Sequence, residues 1–431
     1  MTALDRSSRA RVVEVVAGCL EGGRGTAEVM AGLASLRGAA AAERASVSSW
    51  ATRVLGARLR VERALASCAP ELLDDRALGL TLATMVEAGV APGPWSAALP
   101  TQAQLRDAVE ALEDPGERFA ARHGAPRWVA DRLRAQLGDD AAAALRALEA
   151  PAPRTLRCNL LRGDRDALQS RLASEGVDVD PGRWAETAVT CRDAANVFAT
   201  RAFSAGWFEQ QDEASQLAVA LTAPPPRGRV LDLCAGSGGK TLGVAAALGN
   251  RGAVLATDVH EGRLRALRAR LARAGADNVT PHLLHGDDAA VARFAVDCDR
   301  VLIDAPCTGT GSWRRRPQAR VSVTEQDLRA LVQTQRELLD RAAAWLKPGA
   351  RLIYATCSLL AEENAEQVRW LLARRPELEL VRIAEVLGGV VAGPITDASG
   401  MFLSLRPDLH GCDGFFAAVV RRPRRRTPQR S

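Results

Sequence analysis

Apolar residues recur three and four positions apart over residues 8 to 20, 43 to 68 and 71 to 89, as in RVVEVVAGCL and SWATRVLGARLRVERALAS, with few β-branched alternations. That period puts one face of each segment against a core and predicts an all-α domain. The stripe ends near EDPGERFAARHGAP, residues 113 to 126, where proline, glycine and charge replace it, so a domain boundary falls near residue 117. A helix starts at Pro126 and runs through LRAQLG, and PAPRTLRCNLLRGDRDALQSRLASEG then reads as strand, turn and helix. These form a small α+β subdomain before residue 220. The triple proline at 224 to 226 ends a helix over residues 212 to 223, and the chain passes into a strand. From there RVLDLC, AVLATDV, VTPHLLHG, RVLIDAPC and RLIYATC alternate with helical stretches such as HEGRLRALRARLARAG. This is the spacing of a doubly wound parallel sheet, and the predicted class is α/β.

The chain has 431 residues, 47% of them hydrophobic, enough for two or three domains because single cores rarely grow past ~250–300 residues. No apolar run approaches the ~20 residues of a membrane helix, and the start MTALDRSSRARVVE lacks a signal-peptide core. A soluble, cytoplasmic protein is expected. The nine cysteines form no C-x-x-C pair and have no histidines at ligand spacing, so neither a disulfide framework nor a metal site is predicted. Net charge is +6 and unevenly spread: residues 1 to 117 carry 12 Arg against 15 Asp plus Glu, a net of −3, which leaves +9 for the remainder. The C-terminal two thirds therefore hold the expected polyanion site. Of 57 basic residues only Lys240 and Lys347 are lysines, which singles out Lys240 in its loop as a chemical requirement or a chance survivor of arginine bias.

The loop LDLCAGSGGKT, residues 231 to 241, follows a strand and opens a helix, and its glycines allow close backbone approach to a ligand. Asp258 at the next strand end suits a ribose diol, in a nicotinamide dinucleotide or in S-adenosylmethionine. Two details favour the methyl donor: Thr241 breaks G-x-G-x-x-G, and Asp232 ahead of the glycines would repel a pyrophosphate but accept from a methionine amino group. Asp287 after LLHG is placed for an adenine edge, or equally for a helix N-cap. Two thiols, Cys307 in DAPCTGTGSWRRRP and Cys357 in ATCSLLAEEN, both stand just past apolar strands, at the ligand edge of one sheet. Singly each reads as an inert buried thiol, but together, with Asp304 preceding the first and a methyl-donor-like loop in the same chain, they are harder to dismiss.

These stretches, with PRTLRCNLL and the closing DGFFAAVVRR, resemble in order the motifs of the RNA cytosine carbon-5 methyltransferases, from about residue 120 to 422. Residues 1 to 117 resemble more loosely the NusB-like domain of the bacterial 16S ribosomal RNA members called RsmB or Sun. The resemblance implies a Rossmann-like class I S-adenosylmethionine-dependent sheet over residues 221–422, a small α+β RNA-binding subdomain over 118–220, an all-α NusB-like RNA-binding domain over 1–117 and a basic tail over 423–431. It implies that Cys357 is the nucleophile toward cytosine carbon 6, that Cys307 assists elimination, that Asp304 hydrogen-bonds the base, and that Lys240 places the base or lowers a thiol pKa. Cys234, Ala235, Gly236, Ser237, Gly238, Gly239, Lys240, Asp258, Arg263, Asp287 and Asp304 would line S-adenosyl-L-methionine. Arg314, Arg315 and Arg316, beside the reactive thiol, would meet RNA phosphates, solvated charge being the alternative. One departure stands out: the family's loop reads C-A-A-P-G-G-K, and this chain has CAGSGGK, which loosens the loop. The expected protein is a monomeric enzyme without metal or membrane association that forms 5-methylcytosine in 16S ribosomal RNA. The alternatives are the same chemistry on transfer RNA, an inactive NusB-like RNA-binding or assembly protein, and, last, a nicotinamide dehydrogenase.

Overall fold

The computed structural model describes residues 4–22, 25–90, 99–193, 195–286 and 288–424. The chain divides into two compact units, residues 1–151 with 312–327, and residues 152–311 with 328–431. The first unit is helical. Its long helix Ala41–Cys68 buries Trp50, Val54, Leu55, Val61 and Leu65 against Val12, Val15 and Val16 of the helix Arg6–Gly22 and Leu80 and Met85 of Arg76–Glu87. Helix starts are fixed locally: Asp75 accepts from Leu78 N at 3.1 Å, and Asp114, with Pro115 behind it, accepts from Glu117 N at 2.7 Å.

The helices Arg127–Leu137 and Ala141–Ala147 also fall in this unit, beyond the boundary expected at residue 117. The cause is long-range packing and pairing: Arg60 Nη1 lies 2.9 Å from Glu149 Oε1, 89 residues away. The segment 312–327 completes the unit through Arg320, which is 1% exposed. Its guanidinium donates to the carbonyls of Gly56 and Gly124 at 3.3 Å and of Leu148 at 3.1 Å, and stands 5.2 Å over the Trp313 ring. A buried cation is costly unless its donors are matched, and here carbonyls and Glu149 match Nη1 and Nη2, while Nε is buried without a partner.

The second unit contains two sheets. Strands β1 (Thr155–Cys158), β2 (Val179–Pro181), β3 (Ala188–Cys191) and β4 (Phe208–Gln210) form an antiparallel sheet in the order β2-β3-β1-β4. The helix Arg165–Ser174 covers it, packing Leu168 and Leu172 on Leu156, Val189 and Phe208. The larger sheet comprises β5 (Arg229–Asp232), β6 (Ala253–Asp258), β7 (Val279–Leu283), β8 (Arg300–Asp304), β9 (Arg351–Thr356), β10 (Glu379–Val381), β11 (Phe402–Leu405) and β12 (Phe415–Arg421). Its order is β10-β12-β9-β8-β5-β6-β7, with β11 on β12. Strands β5 to β9 pair in parallel, and β12 adds antiparallel to β9.

Helices cover both faces of this sheet, which is why its strands read as unbroken apolar runs. Leu302 and Ile353 pack with Leu217, Leu221 and Val244 on one side. Val301, Ile303 and Leu352 pack with Leu339, Val368 and Leu371 on the other. The chain runs outward from β5 through β6 to β7 and returns to β8 beside β5, so strand order reverses between β5 and β8. A crevice opens beyond the carboxyl ends of strands at such a point. No described helix is long and apolar enough to cross a membrane.

Candidate active site

Four loops meet at the carboxyl edge of the larger sheet. After β5 the chain turns through Gly236 at φ +56° and Gly238 at φ +86° before the helix Gly239–Ala247 begins. A Cβ on Gly238 would stand 2.2 Å from Leu267 Cδ1, and the positive φ is what favours glycine at this position. Asp258, at the end of β6, accepts from Gly236 N at 2.9 Å and from His260 N at 2.8 Å. Arg263 Nη1 approaches the same carboxylate at 3.8 Å. Of the predicted lining, Cys234 to Lys240, Asp258, Arg263 and Asp304 share this edge, whereas Asp287 lies outside the described residues. The cap of the helix Ala289–Ala295 is Asp288, accepting from Ala290 N at 2.8 Å and Val291 N at 3.2 Å.

Asp232 ends β5, immediately ahead of the loop. It is 1% exposed, and its Oδ2 accepts from the Thr241 hydroxyl at 2.6 Å, tying the first helical turn down to β5. Burial pushes its pKa to about 7, Asp304 adds to the rise, and the bond from Thr241 and the charge of Lys240 oppose it. Oδ2 thus has a scaffold role, while Oδ1 is buried without a hydrogen-bond partner. Burial and the neighbouring carboxylates likewise push the Cys234 thiol up.

Lys240, 8% exposed, points its ammonium at Asp304, Nζ to Oδ2 2.6 Å, and lies 5.3 Å over the Phe415 ring. Asp304 closes β8 and remains partly open to solvent, its side chain 35% exposed. Three residues on, Cys307 Sγ stands 3.5 Å from Cys357 Sγ, which follows β9. The hydrogen bond to Cys357 is the largest cause raising the Cys307 pKa well above its ordinary value, followed by burial and the charges of Cys357 and Glu363. The neighbouring sulfur and burial thus favour the thiol form of Cys307, and either sulfur can donate in the contact between them.

What holds the thiols together is a residue the sequence did not flag. Glu363, fully buried, accepts from Thr308 N at 2.8 Å, from the Thr308 hydroxyl at 2.5 Å and from Gln335 Nε2 at 3.1 Å. The Gln335 amide also donates to Pro306 O at 2.9 Å. On the other loop Gly311 N donates to Cys357 O at 2.9 Å, and a Cβ on Gly311 would lie 2.1 Å from Gly414 O. Nothing in LLAEEN distinguishes Glu363 from its neighbour Glu362, so the sequence carried no signal for it.

The three arginines fare differently. Arg314 is buried at 9% exposure, Arg315 is half-buried and only Arg316 of the three is exposed. Their segment is grouped with the helical unit, not with the thiols. Arg316 is therefore the most accessible of the three for the phosphate contacts expected of them.

A family model described as 16S rRNA methyltransferase RsmB/F matches residues 219–421, and an RsmF/B-like ferredoxin-like domain matches residues 125–198. A probable ribosomal RNA small subunit methyltransferase B of Bacillus subtilis is 30% identical over 315 residues, covering 73% of this chain and 70% of its own. Ribosomal RNA small subunit methyltransferase F of Cronobacter sakazakii is 35% identical over 64% of this chain, and this chain spans only 58% of its length. A solved methyltransferase homolog from Pyrococcus horikoshii superposes with a TM-score of 0.61 at 30% identity, over 72% of this chain and 100% of that one.

Proposed function

Because the chain belongs to the RsmB/F family of 16S rRNA methyltransferases, we propose that it methylates carbon 5 of a cytosine in small-subunit ribosomal RNA, through a covalent bond between Cys357 and cytosine carbon 6. The observation that carries this reading is the pair of sulfurs 3.5 Å apart, at the edge where Lys240 and Asp304 pair at 2.6 Å. When bound, S-adenosylmethionine supplies an electrophilic sulfonium methyl. The residues present fit it: the outer side of Gly236 is open, nothing lying within 4 Å of a Cβ built there. Asp258 has lone pairs beyond its two backbone bonds to accept a ribose diol.

Carbon 5 of cytosine is a weak nucleophile, and addition of a thiolate at carbon 6 moves electron density onto it. Cys357 is the attacking sulfur in this reading; it gives its proton to solvent and adds as the thiolate, with Cys307 Sγ 3.5 Å away. Asp304, oriented by Lys240, bonds the base edge as charge develops. For release Cys307 gives its own proton to solvent and, as the thiolate, takes the carbon-5 proton, while the electron pair left on carbon 5 forms the carbon-5–carbon-6 double bond and expels Cys357 as the thiolate. The same reading makes residues 1–117 an RNA-binding module, adds the basic tail to the phosphate contacts, and places the protein in the cytoplasm as a monomer.

Bisulfite sequencing of total RNA tests the assignment. In a deletion strain one 16S cytosine should lose protection and regain it when the gene is returned. An unchanged 16S profile together with a lost transfer RNA site would move the substrate to transfer RNA.

A further inference from the structure

The loop between β5 and the helix Gly239–Ala247 is made of residues with little restraint of their own. Gly236 and Gly238 have positive φ, and Ser237 between them is exposed. Its course is fixed from outside by two arms. Arg157 of β1, buried, donates Nη1 to the Gly239 carbonyl and to Gln211 Oε1. Arg270 of the helix Glu261–Ala274 donates Nη1 to the Ser237 carbonyl at 2.7 Å. Arg270 is itself aimed: its Nε and Nη2 lie 3.2 and 3.0 Å from Glu209 Oε2 on β4. The Glu209 side chain is 7% exposed and also pairs with Arg273. A planar guanidinium with two nitrogens committed to one carboxylate has a single direction left for the third, and that direction is the Ser237 carbonyl.

We propose that Arg270, aimed by Glu209, is a positioning residue for the methyl-donor loop, supplying from a neighbouring helix the restraint that a proline at position 237 would supply from within. The inference rests on the reading of this loop as the S-adenosylmethionine site. Without the clamp, the glycine-serine-glycine backbone gains conformations that cofactor binding must then remove, and affinity falls. Because Glu209 belongs to the four-stranded sheet, the stiffness of the cofactor loop depends on that sheet.

The test uses the full chain in four forms: wild type, Arg270→Ala, Arg270→Lys and Glu209→Gln, with the Arg270→Ala/Glu209→Gln double variant. Amide exchange is read without cofactor, and S-adenosylmethionine affinity is read by calorimetry. Arg270→Ala should speed exchange at residues 236–239 and weaken cofactor binding about tenfold, the loss of one charge-assisted hydrogen bond. The kinetic loss should fall on KM for the cofactor and not on KM for RNA. Arg270→Lys, which can reach Glu209 or Ser237 but not both, should fall between, and serves if the alanine variant does not fold. Glu209→Gln should act like Arg270→Ala when alone and add nothing to it. Unchanged loop exchange and affinity would overturn the clamp, as would faster exchange spread evenly over the unit with a matching loss of Tm. If the wild-type chain itself bound no S-adenosylmethionine, the functional reading would fail, while the exchange measurement would still judge the clamp.

Discussion

Cys307 and Cys357, 50 residues apart in the chain, place their sulfurs 3.5 Å from each other because the strands that precede them, β8 and β9, are parallel neighbours. That adjacency makes the two alanine variants differ in kind. Cys357→Ala should bind RNA and lose turnover without any adduct. Cys307→Ala should form the adduct, methylate and stay attached, so that a denaturing gel with labelled RNA shows a slow band absent from Cys357→Ala and from the double variant. A band from Cys357→Ala alone would exchange the two roles.

Glu363 should matter to both stability and trapping. Glu363→Ala leaves the Thr308 amide and hydroxyl without an acceptor in a buried site, at a cost of about 3 kcal/mol. Glu363→Gln should cost less. Urea denaturation at neutral pH reads the cost, and a value near zero for the alanine variant would remove Glu363 as the anchor of this loop.

Asp232 sets a pH dependence whose sign is fixed. Its folded pKa of about 7 lies above the ordinary 3.8, so the folded state binds the extra proton between those values and stability falls as pH rises through that window. The slope is at most ~1.4 kcal/mol per pH unit from this group. Asp232→Asn should flatten that part of a denaturation profile taken from pH 4 to 8. A steeper fall in the variant than in wild type would contradict the assignment.

Asp258 has two duties, one toward the loop through Gly236 N and one toward a ribose. Asp258→Ala should therefore weaken S-adenosylmethionine binding by ~1.5–3 kcal/mol, as expected for hydrogen bonds to a charged group. Calorimetry with unchanged affinity would move the ribose elsewhere.

Among the arginines after the thiol loop, exposure divides the effects. Arg316→Ala should lower the slope of log affinity for RNA against log salt by ~0.7–0.9, one phosphate contact. Arg314→Ala should leave the slope alone and lower Tm, because that side chain is buried. The reverse assignment of the two effects would place the phosphate path over Arg314.

Local pattern made the edge of the large sheet readable. Strand, glycine-rich turn and helix at residues 229 to 247 are specified by adjacent residues, and so are the strand ends that carry Asp258, Asp304, Cys307 and Cys357. Contacts closed over long separations were not readable. Arg270 is one of several arginines on its helix, and only the fold brings Glu209 to it from 61 residues away. Arg314 looks like its two neighbours in the sequence, and only packing buries it. Asp287 and Asp288 are alike in type and differ by one position, which pattern cannot resolve but the bonds to Ala290 and Val291 do.

The grouping of residues 312–327 with the helical unit constrains the order in which the protein can be completed during synthesis. Until the ribosome has passed residue 320, the carbonyls of Gly56, Gly124 and Leu148 lack the guanidinium they bond in the finished protein. The helical unit is thus finished only after residues 152–311 of the second unit, through β8, have been made. A fragment cut at residue 151 would lack the guanidinium that three of its carbonyls bond, and should be less stable than its helix content suggests. Expressing residues 1–151 with and without a peptide of residues 312–327, and comparing their melting, would make that dependence visible.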